Sequence, residues 1–158
     1  ATLLLPVAGI PFDRYRGCKL YGEATLPGAR LMEAFDAERM RVAKALGCEV
    51  GTAFEHIQRT YGYTGRDIAE AYRKSPHADR YIPAERIQAV VLEDLSYFYV
   101  PVSRIADSLC IETPIMDGIV NVMGAMLSTN YWKKGITLEE LGFAGLSAER
   151  IVKYVNDG

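Results

Sequence analysis

Apolar residues recur along most of the chain with the 3.6-residue period of an α-helix. In residues 27–46 this spacing predicts one long helix that begins at a proline and ends before a glycine. The polar positions of the same segment place Asp36 and Glu38 three residues before Arg39 and Arg41. Such i,i+3 pairs are typical of a solvent-exposed helix face, so both acids are predicted to lie on the exposed side.

Capping signals divide the rest of the chain into further helices. A Ser, Thr or Asp before an apolar run, with an acidic residue three positions later, is typical of a helix N-terminus, and proline favours the first helical turn. The helix starts predicted in this way lie at Thr52, Thr64, Pro101, Thr113, Thr137 and Ser147.

The segment 114–127 is apolar on nearly every side, which predicts a helix buried at the centre of a bundle. No stretch shows sustained period-2 alternation, and the strand candidates are the first few residues and residues 87–92. The pattern therefore predicts an all-α, multi-helix bundle of about six to eight helices that forms one domain over residues 1–158.

Composition excludes several classes of protein. The 158 residues carry 18 basic and 20 acidic side chains without a basic block, so nucleic acid is not a predicted partner. The three cysteines are odd in number and contain no CxxC, which indicates free thiols in a reducing compartment and predicts a cytoplasmic protein. The longest uncharged run, residues 118–132, is shorter than the roughly 20 residues of a membrane helix.

The first ten residues, ATLLLPVAGI, contain no charge and no initial Met, and they lack the basic start of a signal peptide. This is unusual for the beginning of a globular chain. We expect the chain to begin inside a larger protein.

Known catalytic and cofactor motifs are missing from the sequence. It contains no glycine-rich dinucleotide or triphosphate loop, no GxSxG elbow and no pair of histidines at metal-binding spacing. His56 and His77 both fall in polar surroundings that favour the protein surface. Neither a cofactor nor a metal is predicted to bind to this chain alone.

Two adjacent acids, Glu93 and Asp94, interrupt the otherwise apolar and aromatic run VVLEDLSYFYVP at residues 90–101. Acidic side chains are almost never fully buried without a partner. One interpretation is structural, with the acids capping a helix. The other is functional, with a carboxylate beside Tyr97 and Tyr99 at the wall of a cleft, where it orients a histidine or binds a cationic substrate.

Four segments in order resemble one known family. EAFDAERMRVAKALG, VVLEDLSYFYVP, CIETPIMDGIVNV and KKGITLEELGFAGLS are similar to the E-A-x-D-x-E-R helix, the R-x-x-x-E-D segment, the T-P helix start and the T-L-x-x-L-G tail of the octopine/nopaline (opine) dehydrogenases. The resemblance is to their C-terminal α-helical domain, which is related to that of 6-phosphogluconate-dehydrogenase-like enzymes, and it covers nearly the whole chain.

This resemblance implies a function. The family reduces the imine formed between an amino acid and a 2-oxo acid such as pyruvate, with hydride from NAD or NADP held by an N-terminal Rossmann domain. That domain is expected to be absent from this chain and to be supplied in cis or by a separate chain. The isolated chain is therefore expected to be inactive, and a homodimer is a possible assembly.

The resemblance also implies a site. Asp94 matches the family aspartate that pairs with a catalytic histidine. The segment ATLLLPVAGI resembles the residues just after the His-Pro step that contains this histidine, so the histidine is expected upstream of Ala1. Glu93, Tyr97 and Arg86 are assigned to the substrate. The family arginine that binds a substrate carboxylate is replaced here by Ala89, and Arg86 is its candidate substitute.

Two other interpretations remain open at this point. The Ala89 replacement favours a non-catalytic helical binding or dimerisation module derived from the family. A related two-domain dehydrogenase that acts on a 2-hydroxy or 2-oxo acid without an amine would also fit.

Overall fold

The described part of the chain is built from α-helices, as predicted. The computed structural model describes residues 17–63 and 65–157, with the backbone alone for residues 87 and 88. Extended structure in this part is limited to one antiparallel bridge between Cys18 and Ile82. The helices are α1 (Leu26–Ala45), α2 (Ala53–Tyr61), α3 (Ile68–Lys74), α4 (Ala84–Asp94), a π-helical segment (Leu95–Tyr99), α5 (Val100–Ser108), α6 (Pro114–Met126), α7 (Tyr131–Lys134) and α8 (Ala148–Asp157).

The helices fall into two compact units. The first comprises Gly51–Asp94 and the described residues up to Asp36, and the second comprises Ala37–Val50 and the described residues from Leu95 onward. Helix α1 contributes to both. The single domain inferred from the sequence stays a prediction, because compact groups of contacts occur within one domain as well as in separate domains.

The first unit packs α1, α2, α3 and α4 around small and aromatic side chains. Its buried apolar residues include Met32, Phe35, Ile57, Ile68, Tyr72 and Val91. Helix α2 begins with the predicted capping box, in which Thr52 Oγ1 accepts from the Glu55 amide at 3.1 Å and Glu55 Oε2 accepts from the Thr52 amide at 2.7 Å. It ends at Gly62, whose φ of 63° is left-handed and favours glycine.

Asp36 on α1 also caps α2. Its side chain is buried, and Oδ2 accepts a hydrogen bond from the Ala53 amide at 2.7 Å. The first amides of a helix have no partner within the helix, so this carboxylate satisfies one of them and complements the positive end of the helix dipole. The prediction that Asp36 lies on the exposed face of α1 was wrong.

The second unit has its own core. Its buried residues include Val42, Leu95, Tyr99, Val100, Ala106, Met116, Val120, Met123, Tyr131 and Ile151. Helix α6 begins with Pro114 as predicted, but Thr113 makes no capping hydrogen bond. The cap comes from α1, where the carboxylate of Glu38 accepts from the Ile115 amide at 2.8 Å and from the Met116 amide at 2.9 Å.

Glu38 is therefore a structural acid inside the second unit. Its side chain is 2% exposed, which contradicts the predicted exposed position. The predicted pairing with Arg41 does occur, at 3.8 Å, but Arg41 also donates to the Glu112 carbonyl at 3.0 Å. Spacing within α1 indicated Arg41 and missed the two amides, because those amides lie 77 and 78 residues further along the chain.

The strand predicted at residues 87–92 and the predicted start of α3 need correction. Residues 87–92 belong to helix α4 and not to a strand, whereas the strand candidate at the first few residues lies outside the described part of the chain. Helix α3 is capped by Asp67, whose Oδ1 accepts from the Glu70 amide at 2.7 Å. The predicted cap residue of α3, Thr64, lies outside the described residues.

The segment after Thr137 forms the predicted capping-box bonds but turns without continuing as an α-helix. Thr137 and Glu140 exchange bonds of 2.7 and 3.1 Å, and Gly142, with a φ of 74°, ends the turn. The prediction for Ser147 was better, since α8 follows it directly.

Helix α6 is not buried on all sides. Met116, Val120 and Met123 are buried, but Val122 and Met126 are 59% and 49% exposed. Central burial was predicted because the helix is apolar all round, yet its neighbours in the second unit cover only one face. No helix in the described part of the chain is long and apolar enough to cross a membrane.

Candidate functional site

The acidic pair lies at the C-terminal end of α4, and its two members have different surroundings. Asp94 is the last residue of the helix and only 8% exposed, whereas Glu93 faces solvent. Burial in a medium of low dielectric constant disfavours the charged form of a carboxyl group. Asp94 therefore occupies an unfavourable position for a charged acid.

Among the described residues, one carboxylate oxygen of Asp94 lacks the hydrogen bond that usually accompanies burial. Its Oδ2 atom is buried, and no group of the described residues donates to it. Burial raises the pKa of the Asp94 carboxyl to about 6, and the negative charge of Glu93 acts in the same direction. The structural interpretation, in which Asp94 caps a helix, has no hydrogen bond in its support among the described residues.

Arg86, Ala89 and Glu93 share one exposed face of α4. Residues three, four and seven apart on an α-helix lie on the same side. Arg86 and Ala89 are thus neighbours on consecutive turns, and a long arginine side chain from position 86 can reach the space beside position 89. Both residues are exposed, and within the described residues neither Arg86 nor Glu93 makes a side-chain hydrogen bond or ion pair.

The chain passes from Asp94 directly into the π-helical segment Leu95–Tyr99. Pro101 explains the local widening, because its ring would clash with the carbonyl of Tyr97 in a regular α-helix and it has no amide hydrogen to donate. In an i→i+5 pattern the carbonyl of Ser96 would likewise face the nitrogen of Pro101. That carbonyl accepts instead from the Ile136 amide at 3.0 Å.

The π-helical segment separates the two tyrosines that the sequence analysis placed beside the acids. Tyr99 is fully buried in the core of the second unit, whereas Tyr97 is 66% exposed. Tyr97 can contact a ligand, and Tyr99 cannot. Short π-helical segments within α-helices occur frequently at functional sites, which supports the assignment of Tyr97.

Other chemistry-bearing groups do not form a second centre in the described part of the chain. His77 Nε2 lies 3.0 Å from the Tyr61 hydroxyl, and His56 is exposed on α2. Within the same part of the chain, no three His, Cys, Asp or Glu side chains come close enough together to hold a metal ion.

The described residues do not fit a dinucleotide cofactor. Such a cofactor is held by a glycine-rich turn between a strand and a helix of a parallel sheet. Residues 17–63 and 65–157 contain helices and one isolated antiparallel bridge. What they offer is an exposed, charged helix face, a buried carboxylate and an exposed tyrosine.

These features are those of a helical domain that contributes charged and aromatic side chains to a site and holds no nucleotide itself. The family described as NAD/NADP octopine/nopaline dehydrogenase, alpha-helical domain, matches residues 5–127. The chain belongs to this family, and the helical fold of its described residues agrees with that assignment. The family is described as using NAD or NADP.

Curated relatives agree with the family. The chain is 34% identical over 146 residues to an opine dehydrogenase of Arthrobacter sp. (strain 1C), which covers 91% of this chain and 39% of that protein. It is 28% identical over 126 residues to protein ocs of Agrobacterium vitis (78% and 35%). It is 24% identical over 139 residues to vitopine synthase of Allorhizobium ampelinum (87% and 39%). The chain thus spans less than two fifths of the length of these relatives.

Proposed function

We propose that this chain is the substrate-side domain of an NAD(P)-dependent dehydrogenase that condenses an amino acid with a 2-oxo acid such as pyruvate and reduces the resulting imine. The observation that carries the proposal is Asp94, a buried carboxylate with an oxygen that no described residue satisfies. Buried polar groups are nearly always hydrogen-bonded, so an exception indicates a partner that arrives from elsewhere.

The partner proposed for Asp94 is a histidine outside the described residues. A neutral imidazole that donates one N–H to a carboxylate is fixed in one tautomer, and its protonated form is stabilised. Asp94 is then a positioning residue that acts through the histidine, which gives and takes the proton as the imine forms and is reduced. Pairing with an imidazolium would also offset the cost of burying the Asp94 charge.

The exposed face of α4 supplies groups of opposite sign for the substrates. Arg86 is a cation suited to a carboxylate, Glu93 is an anion suited to an ammonium group, and Ala89 leaves space between them. The amino acid carries a carboxylate and an amine, and the 2-oxo acid carries a second carboxylate. We assign Arg86 to a substrate carboxylate, Glu93 to the amine and Tyr97 to a contact with the substrate.

The test uses the natural protein that contains this chain. NAD(P)H oxidation is followed with pyruvate and a panel of amino acids, in the wild type, in Asp94→Asn and in the exposed neighbour variant Glu93→Gln. Loss of an aspartate that orients a catalytic histidine lowers kcat by about 10²- to 10⁴-fold. We expect such a loss in Asp94→Asn, together with a changed pH profile. In Glu93→Gln the main effect is expected on KM for the amino acid.

A variant can also lose activity by unfolding, so thermal stability is measured in parallel. A fall in kcat with unchanged pH dependence and a matching loss of folded protein would contradict the positioning role. Absence of NAD(P)H oxidation with every 2-oxo acid would contradict the proposed reaction.

The second candidate, a non-catalytic binding or dimerisation module, is favoured by Ala89 at the position of the family arginine. A variant of Arg86 distinguishes this module from a substrate-binding domain. If Arg86 binds a substrate carboxylate, Arg86→Met should raise KM for that substrate by about tenfold or more, because a charge-assisted hydrogen bond contributes about 1.5 to 3 kcal/mol. A module without substrate would show no catalysis to impair.

A further inference from the structure

The turn after α7 is fastened to α5 by one arginine. We call residues 135–137 the strap. Arg104 of α5 donates from Nη1 to the Gly135 carbonyl at 3.1 Å and to the Ile136 carbonyl at 2.7 Å, and from Nη2 to the Trp132 carbonyl. A planar guanidinium can serve three carbonyls at once, which a lysine ammonium at the same position cannot reproduce.

The strap also contacts the π-helical segment directly. The Ile136 amide donates to the Ser96 carbonyl at 3.0 Å, which is the carbonyl that Pro101 leaves without a helical partner. The strap therefore donates a hydrogen bond to a carbonyl that lacks a helical partner because the helix is widened. Without it, this carbonyl would be left unpaired next to the core, at a cost comparable to a lost hydrogen bond.

Close packing holds the same junction. A Cβ atom on Gly135 would lie 2.7 Å from Cβ and from Cγ1 of Val100, the fully buried first residue of α5. The φ of Gly135 is -74°, so glycine is required here by the close approach and not by backbone conformation. The hydrogen bonds from Arg104, the bond from Ile136 to Ser96 and the packing of Gly135 against Val100 thus all lie near the junction of the π-helical segment with α5.

We infer that Arg104 is a positioning residue, which holds the strap against the π-helical segment and thereby fixes the direction in which Tyr97 meets the substrate. The inference rests on the proposed function for the role of Tyr97. Tyr97 itself is 66% exposed, so the backbone that carries it determines its direction. That backbone is held by the bond from Ile136 to Ser96, the residue just before Tyr97.

The first test is kinetic and uses the natural protein. Arg104→Met and Gly135→Ala should both raise KM for the amino acid by about tenfold and leave kcat within about twofold, which is the signature of lost uniform binding. Tyr97→Ala should show the same split. Arg104→Met and Tyr97→Ala together should raise KM no further than either alone, because both remove the same contact.

Matched controls separate this effect from general damage. Arg150→Met removes an exposed arginine of α8, and Gly118→Ala adds a methyl group where nothing lies within 4 Å. Neither should change KM. Arg104→Lys keeps the charge and tests whether the fork geometry is needed; we expect it to resemble Arg104→Met.

The second test does not depend on activity. Hydrogen exchange of the Ile136 amide, measured without substrate, should become at least tenfold faster in Arg104→Met and stay unchanged in Arg150→Met. Unchanged exchange, an unchanged KM in both Arg104→Met and Gly135→Ala, or an unchanged KM in Tyr97→Ala would each overturn the inference. If Asp94→Asn leaves kcat intact while these KM effects appear, the role proposed for Asp94 fails and the positioning role of Arg104 stands.

Discussion

Two buried carboxylates of this chain, Glu38 and Asp94, have opposite surroundings. Glu38 is 2% exposed, and both of its oxygens accept hydrogen bonds from the first amides of α6. Asp94 is 8% exposed at the junction of α4 with the π-helical segment, and its Oδ2 has no donor among the described residues. Glu38 stabilises the fold through these hydrogen bonds, whereas burial of the Asp94 charge destabilises it.

Hydrogen bonding distinguishes a structural acid from a functional one, even where both belong to family motifs. Both residues lie in segments that carry the family resemblance, the E-A-x-D-x-E-R helix and the E-D segment. A shared motif alone would give them equal weight. Hydrogen-bond satisfaction divides them, because a satisfied buried acid explains its own presence and an unsatisfied one needs a further reason.

The largest effect is expected from Glu38→Gln. Both oxygens of Glu38 accept from amides, so a glutamine must turn its own NH₂ toward one N–H group and leave a buried donor unpaired. We expect a loss of about 2 to 4 kcal/mol in the free energy of unfolding, measured by urea denaturation of the chain at pH 7. A loss below about 0.5 kcal/mol would show that the two amides do not depend on Glu38.

Asp94→Asn should increase the free energy of unfolding of the chain alone, which is opposite to the effect of Glu38→Gln. At pH 7 the variant removes a buried charge that no described residue pairs with, and we expect a gain of about 1 to 2 kcal/mol in the free energy of unfolding. The exposed neighbour variant Glu93→Gln is the control and should change stability by less than about 0.5 kcal/mol. Destabilisation by Asp94→Asn would place Asp94 with Glu38 as a structural acid.

The same comparison predicts a pH dependence. The folded pKa of Asp94, about 6, lies above the value of about 3.9 for an unfolded aspartate. The folded chain therefore binds this proton more tightly, so the contribution of Asp94 is fully present below pH 4 and is lost as the pH rises through 6. The stability difference between Asp94→Asn and the wild type should grow over this interval.

Other acids act in the reverse direction and would obscure this effect in the wild type alone. Glu70, whose pKa is lowered to about 2 by Lys74 and by the Arg66 amide, contributes stability that is lost as the pH falls. Subtracting the wild-type profile from that of Asp94→Asn removes their contribution. A constant difference from pH 4 to pH 7 would contradict the raised pKa.

The smallest effect is expected from Arg41→Met. Arg41 lies 3.8 Å from Glu38 and is about half exposed, and pairs of this kind contribute about 0 to 1 kcal/mol. If the amides of α6 hold Glu38, this variant should cost less than about 1 kcal/mol, measured as for Glu38→Gln. An equal cost for the two variants would mean that the ion pair, and not the helix cap, explains the burial of Glu38.

Local signals were sufficient for much of the fold. The capping box of α2 is formed by residues three apart, Thr52 and Glu55, so the sequence alone predicts it, and the long α1 helix was predicted to within one residue at each end. The helix-rich class follows from periodicity in the same way. Predictions failed where a distant group decided the outcome, as for Glu38, whose partners lie 77 and 78 residues away.

The candidate site shows the same limit. The sequence identified the acidic pair and Tyr97 from their unusual setting, but it gave no sign that Glu93 and Asp94 would have different exposure. The π-helical segment was also missed, although Pro101 was a signal for it. A widened turn becomes stable when a donor serves its free carbonyl, and that donor, Ile136, lies 40 residues further on, counted from Ser96.

A titration of the Asp94 carboxyl in this chain tests whether this acid is buried without a hydrogen-bond donor. The chemical shift of its side-chain carboxyl carbon is followed by NMR from pH 2 to pH 8, with Asp94→Asn used to assign the signal. We predict a midpoint near pH 6, because burial without a donor disfavours the charged form. A midpoint at or below about 4 would mean that the charged carboxylate already has a hydrogen-bond donor or solvent. It would contradict the proposal that Asp94 pairs with a histidine outside the described residues.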